Sequence, residues 1–423
     1  MQTNVFNNPN FVDPDPIHPT TTSLCVKEDG NYKLEKVVVL SRHNIRSPMT
    51  NKESILSMAT PYDWYSWTSA PSELSLRGKE LEIKFGYYFR EYLISKNLFN
   101  KDILENKNKI RIYANNKQRT IASAQCFAKG LLNDDTNVEY HCELNKLDPV
   151  FAPILSFTSD AFNKFALSQI EAYGGEKGLE GICEKLSDNY GVLKEVLDFY
   201  CSDYYKTHGD FRLDDTKIVL KKNYEPYIEG TLGSALCLSD ALTLQLYEEQ
   251  DKTKASFGDT VSKDEWTKIA EIVDVGVSIM FGYSKAISLN VCHNMLKEIN
   301  EELNNNRILT FLFGHDSNIV SVLSAIGVDD YYLPHAISRK TPVGCKLMIE
   351  KWINNNIEYA TVSIVYQSLK QIRHIMTLDL DNPPIKYYLK LNNINANEDG
   401  YYLYKDVIDL FTKAINDFDS LPR

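Results

Sequence analysis

One polar loop of this sequence places an imidazole between two permanent cations, in the pattern Arg42-His43-x-x-Arg46-x-Pro48. A nearby positive charge disfavours the imidazolium form, so we expect His43 to be neutral and nucleophilic. The same two guanidiniums would hold an anion in front of the ring. The loop therefore predicts nucleophilic chemistry on an anionic substrate.

A second polar turn, Gly314-His315-Asp316, follows an apolar run over 308–313 and precedes a helical pattern. Taken alone, a histidine and an aspartate at a helix start could simply cap the helix. The turn nevertheless repeats the arrangement of the first loop, because both directly follow a buried strand. We therefore treat it as a second candidate for chemistry.

Three predicted strands must position these residues. Four apolar residues, Val37 to Leu40, predict a short strand buried on both faces, and its carboxyl end is where open α/β sheets place ligands. A second strand is predicted over Lys109 to Ala114, followed by a turn and a helix that begins near Arg119. An arginine at a helix start is often only a solvated charge. Arg119 becomes a candidate binding residue because the two other predicted strands are also followed by turns with candidate residues.

The two motifs, in this order, resemble those of the histidine acid phosphatases, the branch of the histidine phosphatase superfamily that includes phytases and bacterial glucose-1-phosphatase. The resemblance extends from about Tyr32 to the C-terminal end. Asn44 stands where most of the branch has glycine, and the motif is more similar to the glucose-1-phosphatase version than to the broad phytase version.

The resemblance implies a two-step reaction on a phosphate monoester. His43 would attack phosphorus and form a phosphohistidine. Asp316 would protonate the leaving oxygen and then activate water as a base. The phosphoryl oxygens would be bound by four residues: Arg42, Arg46, Arg119 and His315. The resemblance implies no metal ion and no cofactor.

Substrate specificity is expected to come from loops and from the inserted helices. Glu225 resembles an acidic residue that contacts the sugar in glucose-1-phosphatases, although a surface glutamate before Pro226 is an equal alternative. Trp64 and Trp67 either wall the substrate pocket or pin a loop to the core. We predict glucose 1-phosphate or a related sugar phosphate as substrate. Phytate is the alternative, and a catalytically inactive phosphate-binding relative is a third reading.

The pattern of elements, with the resemblance, predicts an α/β fold. It would contain a mixed, mostly parallel sheet flanked by helices, as in a phosphoglycerate-mutase-like core, with an inserted smaller all-helical domain. The expected division is an N-terminal arm (1–30), the first part of the core (31–147), the helical insertion (148–257) and the second part of the core (258–423).

Composition limits the partners. The chain has 423 residues and a formal net charge of −11, which argues against nucleic acid or an anionic membrane surface. No apolar run reaches the about 18 residues that span a bilayer. A small-molecule phosphate monoester is the expected partner, and the chain is expected to be a monomer or homodimer.

The eight cysteines show no metal-site or CxxC spacing, and their pairing is open. Residues 1–24 contain no lysine or arginine and no apolar segment typical of a signal peptide. Because the family is largely exported, we expect a periplasmic or secreted protein whose leader is absent here, with a cytoplasmic location as the alternative.

Overall fold

The computed structural model describes residues 23–27, 30–49, 54–100, 107–133 and 138–423. Most of the predicted N-terminal arm lies outside the described residues. Its described part is attached to the body of the protein, because the backbone N–H of Leu24 donates to the carbonyl of Tyr388 at 3.1 Å and that of Lys27 to Asp399 at 2.9 Å.

A seven-stranded mixed sheet forms the centre of the fold. Its strands run in the spatial order β2–β5–β1–β6–β7–β8, and β9 pairs with β7. Their bounds are β1 Lys33–Arg42, β2 Ile110–Ala114, β5 Leu309–Gly314, β6 Lys346–Asn354, β7 Ile357–Tyr366, β8 Ile385–Tyr388 and β9 Tyr402–Leu403. Two further strands, β3 Lys217–Val219 and β4 Tyr227–Glu229, form a separate small sheet.

The predicted α/β fold with a mixed sheet flanked by helices is confirmed, but the sheet is not mostly parallel. Within the described strands, β1 and β2 each run parallel to β5, whereas β6, β7, β8 and β9 join by antiparallel pairings. The physical reason is the turn between β6 and β7, where Asn355 and Asn356 both have positive φ, at 50° and 63°. Two such residues form a tight hairpin, which can join only antiparallel strands.

Strand β1 is buried on both faces, as its four apolar residues predict. Val38 and Leu40 face one hydrophobic cluster of the protein, and Val37 and Val39 face the other. The second cluster is covered by two helices, α1 (Leu76–Ser95) and α2 (Gln118–Leu132). These helices approach closely at glycine, because a Cβ on Gly86 would lie 2.2 Å from the carbonyl oxygen of Phe127.

The segment 148–257 is helical but not all-helical, so that part of the fold prediction is corrected. Strands β3 and β4 pair within it through Ile218 and Ile228. Each has three residues, which is too short for an alternating pattern to appear in the sequence. The domain boundaries at 147/148 and 257/258 remain a prediction. The helices of the segment are α3 Asp160–Glu171, α4 Gly178–Lys185, α5 Ser187–Val196, α6 Asp203–His208, α7 Thr231–Glu248 and α8 Lys252–Ala255.

Five helices follow in the remainder of the chain: α9 Lys263–Phe281, α10 Lys285–Asn304, α11 Asp316–Ile326, α12 Leu369–Arg373 and α13 Tyr404–Asp417. Helices α9 and α10 each bury an apolar face. In the described part of the chain, no single helix has the length and apolar character to cross a bilayer. Only α9 and α10 together meet those criteria, and they are bent by 81° relative to each other.

Candidate active site

Three neighbouring strands end at one edge of the sheet, and each is followed by a polar turn. Strands β2, β5 and β1 run in parallel, so their carboxyl ends meet. The residues that come directly after them are Asn115, His315 and His43. The sheet therefore brings together the turns of His43 and His315, which are more than two hundred residues apart in the sequence.

His43 is a neutral ring whose Nε2 carries no proton. It is 4 % exposed, and its Nδ1 lies 2.8 Å from the carbonyl oxygen of Asn44. A carbonyl can only accept, so Nδ1 carries the proton and Nε2 keeps its lone pair. Burial lowers the pKa of His43 well below its usual value, and the positive charges of Arg119 and Arg42 lower it further. The ring is therefore neutral over the ordinary pH range.

Three arginines surround this histidine. Arg42 forms an ion pair with Asp316, with 2.9 Å between Nη2 and Oδ2, and also donates to the carbonyl of Thr341. Arg46 forms an ion pair with Asp240 at 2.9 Å. The Nε atoms of Arg42, Arg46 and Arg119 are buried and have no hydrogen-bond partner among the described residues. Buried donors without partners are rare, which favours an anionic ligand at this cluster.

Arg119 lies at the start of α2, after the end of β2. Burial lowers its pKa to about 10, and the charge of Arg46 acts in the same direction. The charges of Asp316, Glu225 and Asp240 oppose this shift. An anion bound between Arg119 and Arg46 would relieve the repulsion between the two guanidiniums.

His315 is oriented by an amide that the sequence analysis did not single out. The Nδ2 of Asn115 donates to the Nε2 of His315 at 2.8 Å, while the Oδ1 of Asn115 accepts from the backbone N–H of Asn116. Because Nε2 accepts, the proton of the neutral ring lies on Nδ1. Burial lowers the pKa of His315 well below its usual value, and the charge of Arg119 contributes.

Asp316 begins helix α11. Its Oδ1 accepts from the backbone N–H of Ser317 at 2.8 Å, and its Oδ2 faces Arg42. Burial alone would raise the pKa of this carboxyl, but the charge of Arg42 lowers it below its ordinary value. Without substrate, Asp316 is therefore a carboxylate.

A cavity of about 640 Å³ opens in front of these groups. It is lined by six of the seven site residues predicted from the sequence: His43, Arg46, Arg119, Glu225, His315 and Asp316. The seventh, Arg42, reaches the site through its ion pair with Asp316. The opposite wall is apolar and comes from helices α7 and α9, with Leu236, Val273, Val277 and Met280.

Glu225 lies on the cavity wall and is exposed to solvent. Trp64 and Trp67 are not among the residues that line the cavity. The indole N–H of Trp64 instead donates to the carbonyl of Leu56, and its ring packs edge-on against Phe257. Of the two readings for this tryptophan, the structure favours the one in which it pins a loop to the core.

Asp240 is the other site residue that sequence reasoning missed. It lies on helix α7, in the run Leu238-Ser239-Asp240, where the available signal was an acidic residue within an otherwise apolar stretch. Within the described ranges, no group of three or more histidine, cysteine or acidic side chains is arranged to hold a metal ion.

The chain is similar to known proteins over most of its length. A model of the histidine phosphatase superfamily (branch 2) matches residues 33–367. Glucose-1-phosphatase from Providencia rettgeri is 32 % identical over 411 residues, covering 95 % of this chain and 96 % of the relative. Glucose-1-phosphatase from Salmonella typhimurium is 30 % identical over 379 residues, covering 88 % and 90 %.

The solved structure of the phytase from Citrobacter braakii superposes with a TM-score of 0.81 at 25 % identity, covering 90 % of this chain and 98 % of that one. The chain therefore belongs to branch 2 of the histidine phosphatase superfamily. It is a phosphoric monoester hydrolase.

Proposed function

We propose that this enzyme releases phosphate from a sugar phosphate through a phosphohistidine on His43, with Asp316 as the proton donor. The observation that carries the proposal is the state of His43. Its Nδ1 donates a hydrogen bond to the Asn44 carbonyl, so the unprotonated Nε2 is the nucleophile. The buried, unpartnered Nε atoms of Arg46 and Arg119 provide donors for the phosphoryl oxygens.

In the first step, the lone pair of Nε2 attacks phosphorus and the bond from phosphorus to the sugar oxygen breaks. The leaving oxygen takes the proton of Asp316. In the second step, the Asp316 carboxylate takes a proton from water, whose oxygen attacks phosphorus as the phosphorus–nitrogen bond breaks. Inorganic phosphate leaves, and His43 and Asp316 return to their starting states.

Asp316 needs a proton for the first step, although its pKa is lowered in the free enzyme. The ion pair with Arg42 is the main attraction that holds it ionised. A bound phosphoryl group brings negative charge beside Asp316 and competes for Arg42. Both effects favour the protonated carboxyl, so substrate binding would prepare the acid. We therefore expect maximal activity at mildly acidic pH.

Glucose 1-phosphate or a related sugar phosphate is the proposed substrate class. The two relatives named glucose-1-phosphatase support it, and the cavity of about 640 Å³ has room for a hexose phosphate. The exposed carboxylate of Glu225 could accept hydrogen bonds from sugar hydroxyls. Phytate is the second candidate, supported by the similarity of the fold to a phytase.

The partner is proposed to be this small molecule alone, with neither nucleic acid nor a membrane involved, and the chain is proposed to act as a monomer or homodimer. A periplasmic or secreted location follows from the family resemblance and remains a prediction. No cofactor enters the proposed chemistry.

The test is phosphate release from glucose 1-phosphate and from phytate, measured side by side at mildly acidic pH with the wild type and His43→Ala. A preference for the sugar phosphate that is lost in the variant supports the proposal. A preference for phytate keeps the mechanism and replaces the substrate. No release from either substrate would favour the inactive, phosphate-binding reading.

A further inference from the structure

A fully buried ion pair lies directly behind the histidine loop and is not used by the reaction described above. Glu82 on helix α1 and Lys346 on strand β6 are both 0 % exposed, with 3.0 Å between Oε2 and Nζ. The Lys346 ammonium also lies 4.5 Å from the ring centre of Phe85. Burying two charges is expensive, and well-packed apolar residues often give equal or greater stability. Stability alone therefore does not explain the presence of this buried pair.

Asn44 connects this pair to His43. Its side-chain Nδ2 donates to Oε1 of Glu82 at 3.1 Å, and its Oδ1 accepts from the backbone N–H of Ile45 at 2.9 Å. These two bonds fix the peptide unit between Asn44 and Ile45. The carbonyl of that same unit accepts from Nδ1 of His43 at 2.8 Å. The chain of contacts from the ion pair to the imidazole is therefore continuous.

The surrounding backbone leaves Asn44 little room for another position. The N–H of Gly344 donates to the carbonyl of His43 at 3.0 Å. Gly344 has a φ of 69°, and a Cβ there would lie 2.4 Å from the Nδ2 of Asn44. Lys346 also donates to the hydroxyl of Ser41 at 2.9 Å, at the end of β1. The pair thus contacts the strand end and the loop that follows it.

We propose that Asn44, anchored by the buried Glu82–Lys346 pair, is a positioning residue that fixes the ring and the tautomer of His43 for attack. The inference rests on the proposed nucleophilic role of His43. A carbonyl aimed at Nδ1 keeps the proton there and leaves the lone pair on Nε2. If the carbonyl turned away, both tautomers would be populated and the ring would rotate.

Asn44→Ala is the first variant to test, because it removes both side-chain hydrogen bonds, adds no charge and, unlike glycine, does not free the backbone. We expect kcat to fall by about 100-fold, the cost of misplacing a reacting group by about 1 Å. KM should change little, since the arginines remain in place. Glu82→Gln should lower kcat in the same direction by weakening the anchor.

Glu350→Gln is the matched control. Glu350 lies four residues beyond Lys346 on the same strand, is 0 % exposed and pairs with Lys386 at 2.9 Å, with hydrogen bonds to Tyr92 and Thr361. The register places it opposite Val37, far along β1 from the histidine loop. This variant should lower thermal stability and leave kcat unchanged.

The decisive readout is the ¹⁵N NMR spectrum of the His43 ring, assigned by its absence in His43→Ala. The wild type should show the proton on Nδ1, and Asn44→Ala should show a mixture of tautomers. A folded Asn44→Ala with wild-type kcat and an unchanged tautomer would overturn the proposal, even if Glu82→Gln failed to fold. The tautomer measurement needs no turnover, so it stays informative if the wild type proves unable to form a phosphohistidine.

Discussion

The guanidinium of Arg42 and the carboxylate of Asp316 lie 2.9 Å apart, so a proposed phosphate ligand and the proposed proton donor are partners before any substrate binds. The two come from different strand ends, Arg42 from β1 and Asp316 from the helix that follows β5. The pair keeps Asp316 ionised in the free enzyme. A substrate phosphate would replace the Asp316 carboxylate as the partner of Arg42. Asp316 could then accept a proton.

Asp316→Asn tests the acid role through its dependence on the leaving group. The variant cannot protonate the leaving oxygen, and loss of a general acid costs about 10²–10⁴-fold in rate. We expect that loss with glucose 1-phosphate, whose sugar oxygen needs the proton. In the first turnover, which separates phosphorylation of the enzyme from the later role of Asp316 as a base, the loss should be much smaller with p-nitrophenyl phosphate, whose leaving group is stable as an anion. Equal first-turnover losses with both substrates would argue for a structural role.

Arg119→Lys tests the geometry of phosphate binding. Lysine keeps the charge but loses the planar fork that fits a phosphate, so one charge-assisted bond of about 1.5 kcal/mol should be lost. Steady-state kinetics should show kcat/KM lower by about tenfold. Arg212→Lys is the matched control, because Arg212 is exposed and pairs with Asp214 at 3.0 Å on the surface. Equal kinetics in the two variants would remove Arg119 from the phosphate site.

Glu225→Gln tests whether the exposed carboxylate on the cavity wall contacts the sugar. We expect KM for glucose 1-phosphate to rise, because the amide is a weaker acceptor for hydroxyl donors than the carboxylate. KM for p-nitrophenyl phosphate, which has no such hydroxyls, should stay the same or fall as a negative charge is removed. A parallel change in both constants would contradict a sugar contact.

Asp274 gives a pH dependence of stability rather than of activity. Burial raises its pKa from 3.8 to about 6, against the hydrogen bonds that it accepts from Ser338 at 2.8 Å and from the backbone N–H of Arg339 at 2.6 Å. Because the folded state binds the proton more tightly, the resulting stabilisation is complete below pH 3.8 and is lost as the pH rises through 6.

The difference between a pKa of 3.8 and one of about 6 corresponds to about 3 kcal/mol. Denaturant unfolding of the wild type and Asp274→Asn from pH 4 to pH 7 measures it. The free energy of unfolding of the wild type should fall by about 2 kcal/mol relative to the variant over this range, because part of the effect is already lost at pH 4. A difference that does not depend on pH would contradict the raised pKa.

Much of the site could be predicted from the sequence because its residues directly follow buried strands. The apolar runs before His43 and His315 are readable, and parallel strands bring their carboxyl ends together without further information. Asp240 could not be found in this way. It reaches Arg46 from helix α7, and only the packing of that helix over the sheet edge shows which of its side chains faces the site.

The errors in the fold have equally local causes. The direction of β7 relative to β6 depends on two asparagines with positive φ, and the apolar pattern of the strands carries no information about direction. The small β3–β4 sheet has three cross-strand pairs, with Ile218 opposite Ile228 at its centre, and its strands are too short to be recognised. In both cases the deciding signal spans only two or three residues.

The most direct test of the account is to trap the phosphoenzyme. Wild-type protein would be mixed with glucose 1-phosphate, quenched rapidly in alkali and analysed by mass spectrometry of its peptides, beside His43→Ala and the exposed-histidine control His208→Ala. We predict phosphate on His43 in the wild type and in His208→Ala, and no phosphopeptide and no turnover in a folded His43→Ala. Turnover by His43→Ala, or phosphate on another residue of the active wild type, would contradict the nucleophilic role of His43.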